Sequence, residues 1–360
     1  MKKAVMYGAG NIGRGFVGQL FSKSGYEVCF IDVNEPLVNE LNRRGEYPVR
    51  VLLSDGFREE IVANARAVNG RDKNAVALEI ARADIMATAV GVNVLPYIAS
   101  PVAAGLTRRF EEGGSPLDII ICENKLDADQ YLRELIGEKL KPEIREWAGR
   151  NVGLVEASIG RMVPVQTDEM RRGDNLRISV EEYAELPVDK TAFKCPLPEI
   201  EGLLPAAPFA FYIERKLYIH NMGHAAAAYF GAQKGYAYIW QAINDPQIRE
   251  TVFKAMLESG IALAKKHGVE FYEVYRHITD LIGRFANRQL GDTVARVGRD
   301  LPRKLADNDR LFGAANLCGQ QSVENTHILK AIGAALAFPD GEKAPGQTRL
   351  RQMANVLITS

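Results

Sequence analysis

At 360 residues the chain is long for one hydrophobic core, so two domains are expected. Lys plus Arg and Asp plus Glu both number 45, a balance without the basic surplus of a nucleic-acid-binding protein. Hydrophobic residues at 47% and charged residues at 25% are ordinary for a globular protein.

Lys3 to Tyr7 reads as a short apolar strand, followed by Gly8-Ala-Gly10-Asn11-Ile12-Gly13 and a helix to about Ser24. Gly8, Gly10 and Arg14 interrupt any apolar run of a secretory signal, and no stretch approaches the roughly 20 apolar residues of a membrane span. Glu27 to Ile31 is a second strand, ending at Asp32. Strand, G-x-G-x-x-G, helix, strand and acid within about 30 residues form a dinucleotide-binding pattern. Gly8 allows the tight turn, Gly10 lets the backbone approach a pyrophosphate, and Gly13 lets helix and strand pack closely. The free N–H groups of Asn11, Ile12 and Gly13 at the helix start would receive the phosphate charge. Asp32 would accept hydrogen bonds from the ribose hydroxyls and repel a 2′-phosphate, which predicts NAD rather than NADP.

Asn34 with Pro36 starts the next helix, and Gly45 ends it. Residues 47–53 and 60–68 look like strands, 73–83 like a helix, and 84–90 like a buried strand. Val90 and Asn93 then fall at a strand's carboxyl end, where doubly wound sheets bind ligands, although an ordinary strand-to-helix turn would also account for Asn93. A helix follows over 95–112, and 118–122 is a continuously apolar strand with Asn124 just beyond it. Asn124 is either a donor to a substrate oxygen or a cap for a helix over 127–141. Residues 152–159 and 176–182 are further strands. Beyond Pro196 the composition turns helical, with helices predicted over 246–267, 271–285, 310–317, 323–337 and 348–358. The predicted architecture is α/β: a Rossmann-type doubly wound domain over 1–195, then a mainly α-helical domain over 196–360.

In the second domain Lys216, Asn221 and His224 stand within nine residues, followed by four alanines. On an α-helix Asn221 would lie roughly 140° and His224 roughly 80° round from Lys216, so all three would share one side. A core helix with a snorkelling lysine and a satisfied histidine is the alternative. Downstream of a nucleotide-binding start, the three together favour catalysis. His220 and His224 have the spacing of a helical zinc pair, but Asn221 stands where a glutamate base would be and no third ligand is evident, so no metal is expected. Further on, Arg296, Arg299, Arg303 and Lys304 form either a site for phosphate or polyol oxygens or a solvated charged segment. Gly298 and Pro302 favour a shaped loop there.

The spacing Lys216-x4-Asn221-x2-His224 resembles the zinc-independent polyol-specific long-chain dehydrogenases. The likeness extends to residues 7–16, to Thr88-Ala-Val-Gly91, Cys122-Glu-Asn124, Glu214-Arg-Lys216, and Arg296 to Lys304. It implies NAD-dependent hydride transfer between a polyol phosphate and a ketose phosphate, with mannitol 1-phosphate and fructose 6-phosphate as the expected pair. It further implies Lys216 as general base, Asn221 and Asn124 as holders of the substrate oxygen, His224 as a substrate contact, and Arg296 and Lys304 as binders of the polyol or its phosphate. Gly160 stands where the family commonly has an aspartate near substrate, which keeps a hexuronate, a hexonate or a free polyol as rival substrates. An NAD-sensing regulator is the rival of another class, and it would need no base. Four scattered cysteines without a C-x-x-C (Cys29, Cys122, Cys195, Cys318) fit a cytoplasmic protein, expected as a monomer or small homo-oligomer.

Overall fold

Eight strands, with β3 to β5 in direct succession and helices between the others, form the first part of the chain: β1 (Lys3–Tyr7), β2 (Glu27–Asp32), β3 (Tyr47–Leu52), β4 (Phe57–Val62), β5 (Ala65–Asn69), β6 (Ile85–Thr88), β7 (Leu117–Ile121) and β8 (Val152–Glu156). Six of them form one sheet in the order β5-β2-β1-β6-β7-β8, every pairing parallel. This is the doubly wound order, and β7 and β8 read as apolar runs because helices cover both faces. The order reverses at β1, between β2 and β6, so the crevice for a ligand opens at the carboxyl ends of β1 and β6. The computed structural model describes residues 1–339, so the helix predicted over 348–358 lies outside the described residues.

Two predicted elements differ from the observed ones. Residues 60–68 are not one strand: Asn64 adopts φ +53°, and the turn there sends β4 into a small second sheet while β5 joins the main one. In that small sheet β3 pairs antiparallel with β4 and parallel with β9 (Ile178–Glu181). The helix predicted over 127–141 is Ala128–Gly137, and a further helix that was not predicted, Pro142–Asn151, follows it. Lys141, preceding a proline, is extended at ψ 153°, as the proline ring requires.

The chain separates into two compact units between Phe209 and Ala210, later than the predicted 195/196 boundary. Residues 194–208, with prolines at 196, 198, 205 and 208, belong with the first unit because β10 (Leu186–Asp189) pairs with β11 (Leu203–Ala206), and Ile200 joins that unit's core. Past Ala210 the described residues are helical, as predicted, around Pro246–His267. Asp245 caps this helix by accepting from the N–H groups of Gln247 and Ile248, and Gly268 ends it at φ +64°. Helices Met222–Gln233, Phe271–Phe285, Phe312–Gln320 and Thr326–Leu336 pack against it.

Candidate functional site: a dinucleotide loop and a basic helix

In the first unit the three glycines of the loop have separable tasks. Gly8 has φ +99°, and its N–H donates to the Ile31 carbonyl at 2.8 Å. A Cβ on Gly8 would stand 2.6 Å from the Ala89 carbonyl oxygen, and one on Gly13 only 1.9 Å from the Gly8 carbonyl oxygen. A Cβ on Gly10 would meet nothing within 4 Å. Gly8 and Gly13 therefore hold strand and helix together, while exposed Gly10 leaves room before the backbone, the cradle a dinucleotide pyrophosphate needs. Exposed Asn11 and half-buried Ile12 open the helix over residues 11–23, which is π-wound across Gly13–Val17.

Asp32 has partners within the chain. Its carboxylate accepts from the Ala9 N–H at 2.8 Å and the Asn34 N–H at 3.0 Å, bracing the loop. One lone pair on each oxygen is thereby used and acceptor capacity remains. Arg14 is a brace that sequence reasoning missed: buried, it donates to the carbonyls of Ala9 at 2.7 Å and Leu176 at 2.5 Å. Glu123 was missed as well. Its buried carboxylate accepts from the Thr88 hydroxyl at 2.6 Å and the Val90 N–H at 2.8 Å, tying the end of β7 to that of β6. Asn93 is exposed in the short turn Val92–Val94. Asn124 is exposed in the loop over 122–127 and does not cap the next helix, whose N-cap is Asp127. Gly160 lies against Tyr183, with 3.1 Å between a Cβ there and the ring.

In the second unit the helix that begins at Ala210 changes its winding at the residues of interest. It is α over Ala210–Arg215, π over Lys216–Asn221, and α again over Met222–Gln233. In π winding the residue one turn on is five later rather than four. Asn221 therefore stacks above Lys216, and the roughly 140° separation of an ideal α-helix does not apply. Lys216, Asn221 and His224 are all half-buried. His220 is buried, and burial first, then the neighbouring basic side chains Arg284, His224, His277 and Lys216, hold its imidazole well below the usual range.

The His224 ring stacks on Phe285, centroids 4.9 Å apart at 13° between planes, and its Nε2 lies 3.3 Å from Asp292 Oδ2. The other Asp292 oxygen pairs with Arg296. Burial pushes the Asp292 carboxyl up, but His224 and Arg296 outweigh it and hold the group below the usual carboxylate range. Asp292 is a neighbour of both that sequence reasoning passed over, although an acid four residues before an arginine is a readable pair. The late basic segment is two short helices, Val294–Gly298 and Leu301–Lys304, joined through Asp300 at φ +68°. Lys304 is only 5% exposed, and its ammonium donates to the carbonyls of Val297 and Arg299 at the end of the first helix. Burial lowers its pKa to about 8. The second unit thus groups Lys216, Asn221 and His224 on one helix and joins His224 to Arg296 through Asp292, while Lys304 is spent on backbone. Among the described residues no group of three or more His, Cys, Asp or Glu could hold a metal ion, and no helix is long and apolar enough to cross a membrane.

Residues 2–202 match the mannitol dehydrogenase Rossmann domain and residues 209–355 the mannitol dehydrogenase C-terminal domain. The chain is 41% identical over 352 residues to a mannitol-1-phosphate 5-dehydrogenase of Brevibacillus brevis, covering 97% of this chain and 90% of that one. It is 40% identical over 351 residues to that of Bacillus licheniformis, covering 97% and 91%. Among solved structures, Pseudomonas fluorescens mannitol 2-dehydrogenase in ternary complex with NAD and D-mannitol superposes with TM-score 0.76 at 16% identity, covering 99% of this chain and 85% of that one. A substrate-free D-sorbitol dehydrogenase gives TM-score 0.79 at 15% identity, covering 93% and 80%. At these identities the two structures speak for the fold.

Proposed function

The chain belongs to the mannitol dehydrogenase family, and from that premise we propose that it is an NAD-dependent oxidoreductase interconverting mannitol 1-phosphate and fructose 6-phosphate. The observation that carries the reading is Lys216 with Asn221 one π turn above it, beside a His224 fixed on Asp292. A sensor that only bound dinucleotide would need no such base.

The residues at hand fit NAD. Gly10 offers open space and residues 11–13 the start of a helix to a pyrophosphate, and Asp32 has acceptor capacity for a ribose. When bound, the nicotinamide supplies the hydride acceptor in one direction and the donor in the other. The chain's part is proton handling and orientation. In oxidation Lys216, as the free amine, takes the proton of the substrate hydroxyl, and in reduction its ammonium returns it. Asn221 donates to the oxygen on which charge develops, and the resemblance gives Asn124 the same role. His224 orients a polyol hydroxyl. Arg296, with donors left beyond Asp292, takes the polyol or its phosphate, a task the resemblance also gives Lys304. Four scattered cysteines without a C-x-x-C support a cytoplasmic setting.

Following NADH absorbance with a panel of sugars tests this. Fructose 6-phosphate and mannitol 1-phosphate are expected to exceed fructose and mannitol in kcat/KM by about a hundredfold, as two charge-assisted hydrogen bonds would give. Gly160 favours one second reading, a hexuronate or hexonate, because a missing carboxylate admits an anionic substrate. If such an acid turns over fastest and fructose 6-phosphate is inert, the phosphate assignment falls and the dehydrogenase chemistry stands.

A further inference from the structure

Asp292 touches two side chains that the proposed function gives to substrate, and the role inferred for it depends on that reading. Its backbone is anchored on both sides. The Asp292 carbonyl accepts from the Ile239 N–H at 2.9 Å, Thr293 bridges Tyr238, and the Val294 N–H donates to the Ala237 carbonyl at 2.9 Å. Its side chain is buried, with one oxygen toward His224 and the other on Arg296. An ionised carboxylate can only accept, and the imidazole nitrogen that faces it is Nε2. The proton of the neutral ring must then sit on Nε2, and Nδ1 is left with its lone pair. Phe285, stacked flat on the ring, opposes the rotation that would exchange the two nitrogens.

We propose that Asp292 is a positioning residue that fixes His224 as the Nε2–H tautomer, so that Nδ1 accepts a hydrogen bond from a substrate hydroxyl, and that the same carboxylate aims Arg296. The acid itself touches no substrate. It acts as the aspartate of a hydrolytic triad does, by choosing which nitrogen carries the proton, though here for binding and orientation rather than for base catalysis. One carboxylate thereby couples two substrate-facing groups, so their geometries change together.

The test uses the full chain labelled with 15N-histidine, under alkaline conditions that leave the ring neutral. His224 signals are identified by their loss in His224→Gln, and two-bond 1H–15N correlations report the tautomer. The expected pattern is Nε2–H; an Nδ1–H pattern overturns the proposal without any variant of Asp292. Asp292→Asn keeps the shape but can turn an NH2 toward the ring. It is expected to shift His224 toward Nδ1–H and to lower kcat/KM for mannitol 1-phosphate roughly 10- to 100-fold, the usual cost of losing an orienting partner. In a His224→Gln background the same substitution is expected to cost clearly less, since the tautomer no longer matters. A purely structural acid would show full, additive losses with an unchanged histidine spectrum, and that result overturns the proposal. Failure of the wild type to turn over any polyol phosphate would instead strike the functional reading, while the spectrum would still decide the tautomer.

Discussion

Alanine at Gly13 and alanine at Gly10 should fail in opposite ways. A methyl at Gly13 would stand 1.9 Å from the Gly8 carbonyl oxygen, whereas real Cβ contacts essentially never fall below 3.0 Å. Helix and loop would have to part by more than an ångström. The loop cannot give easily: the Gly8 N–H is bonded to Ile31 and the Ala89 N–H to the Tyr7 carbonyl, each at 2.8 Å. Overpacking against backbone of this kind costs about 3 kcal/mol. In a unit of this size that lowers the melting temperature by about 6–12 °C. At Gly10 nothing lies within 4 Å and φ is not positive, so alanine should leave stability within about 0.5 kcal/mol. The methyl there would occupy the space the pyrophosphate needs, and NADH affinity should fall at least tenfold, about 1.4 kcal/mol. Scanning calorimetry and fluorescence titration with NADH separate the two effects. The reasoning fails if Gly13→Ala melts within about 2 °C of the wild type, or if Gly10→Ala binds NADH as the wild type does.

Three further outcomes are expected. Lys216→Ala should keep NADH affinity and lose turnover by about 10²-fold or more; near-wild-type kcat at neutral pH would remove Lys216 from the role of base. Asp32→Ala should narrow a preference for NAD over NADP of more than about tenfold and, by releasing the Ala9 N–H, also lower thermal stability. Equal kcat/KM of the wild type with both cofactors would refute the first half, and an unchanged melting curve the second. Lys304 has a pKa lowered to about 8 in the folded chain against an ordinary 10.5, so above pH 8 the unfolded chain binds more protons and stability from this residue rises with pH. Urea unfolding at about pH 7 and about pH 9.5 should therefore show the wild type gaining about 1–2 kcal/mol relative to Lys304→Met, and an equal pH response of the two would contradict the assignment.

The parallel sheet and the dinucleotide loop were legible because each rests on local signals: apolar runs, glycines at fixed spacing, and an acid at a strand end. The long helices of the second unit were legible through caps such as Asp245 and Gly268. What escaped depended on partners distant in sequence or on winding. Glu123 next to Asn124 gives no local hint that its carboxylate braces Thr88 and Val90. Asp292 lies 68 positions from His224, and only the packing of Val294–Gly298 beside Met222–Gln233 joins them. Lys304 carried the same charge signal as Arg296, yet burial turned it onto two carbonyls. The 60–68 stretch read as one strand because a single asparagine in the left-handed region leaves hydrophobic alternation nearly intact.

The π-wound stretch at Lys216–Asn221 gives this helix a property that no side chain carries. It holds one residue more than an α-helix of the same axial span, so the groups before and after it face as they would on a regular helix one residue shorter. Removing any one residue between Leu217 and His220 would let the segment relax into regular α winding. The helix would then be better bonded than before, with its caps and alanine-rich core face kept. Everything downstream, His224 included, would keep its facing, because Asn221, then four positions after Lys216, would lie about 40° round from it. Deletions inside helices ordinarily damage folding first. Here a deletion would leave Lys216, Asn221 and His224 aligned, whereas straightening the stretch into α winding with all its residues kept would turn His224 away from Lys216 by about 100°.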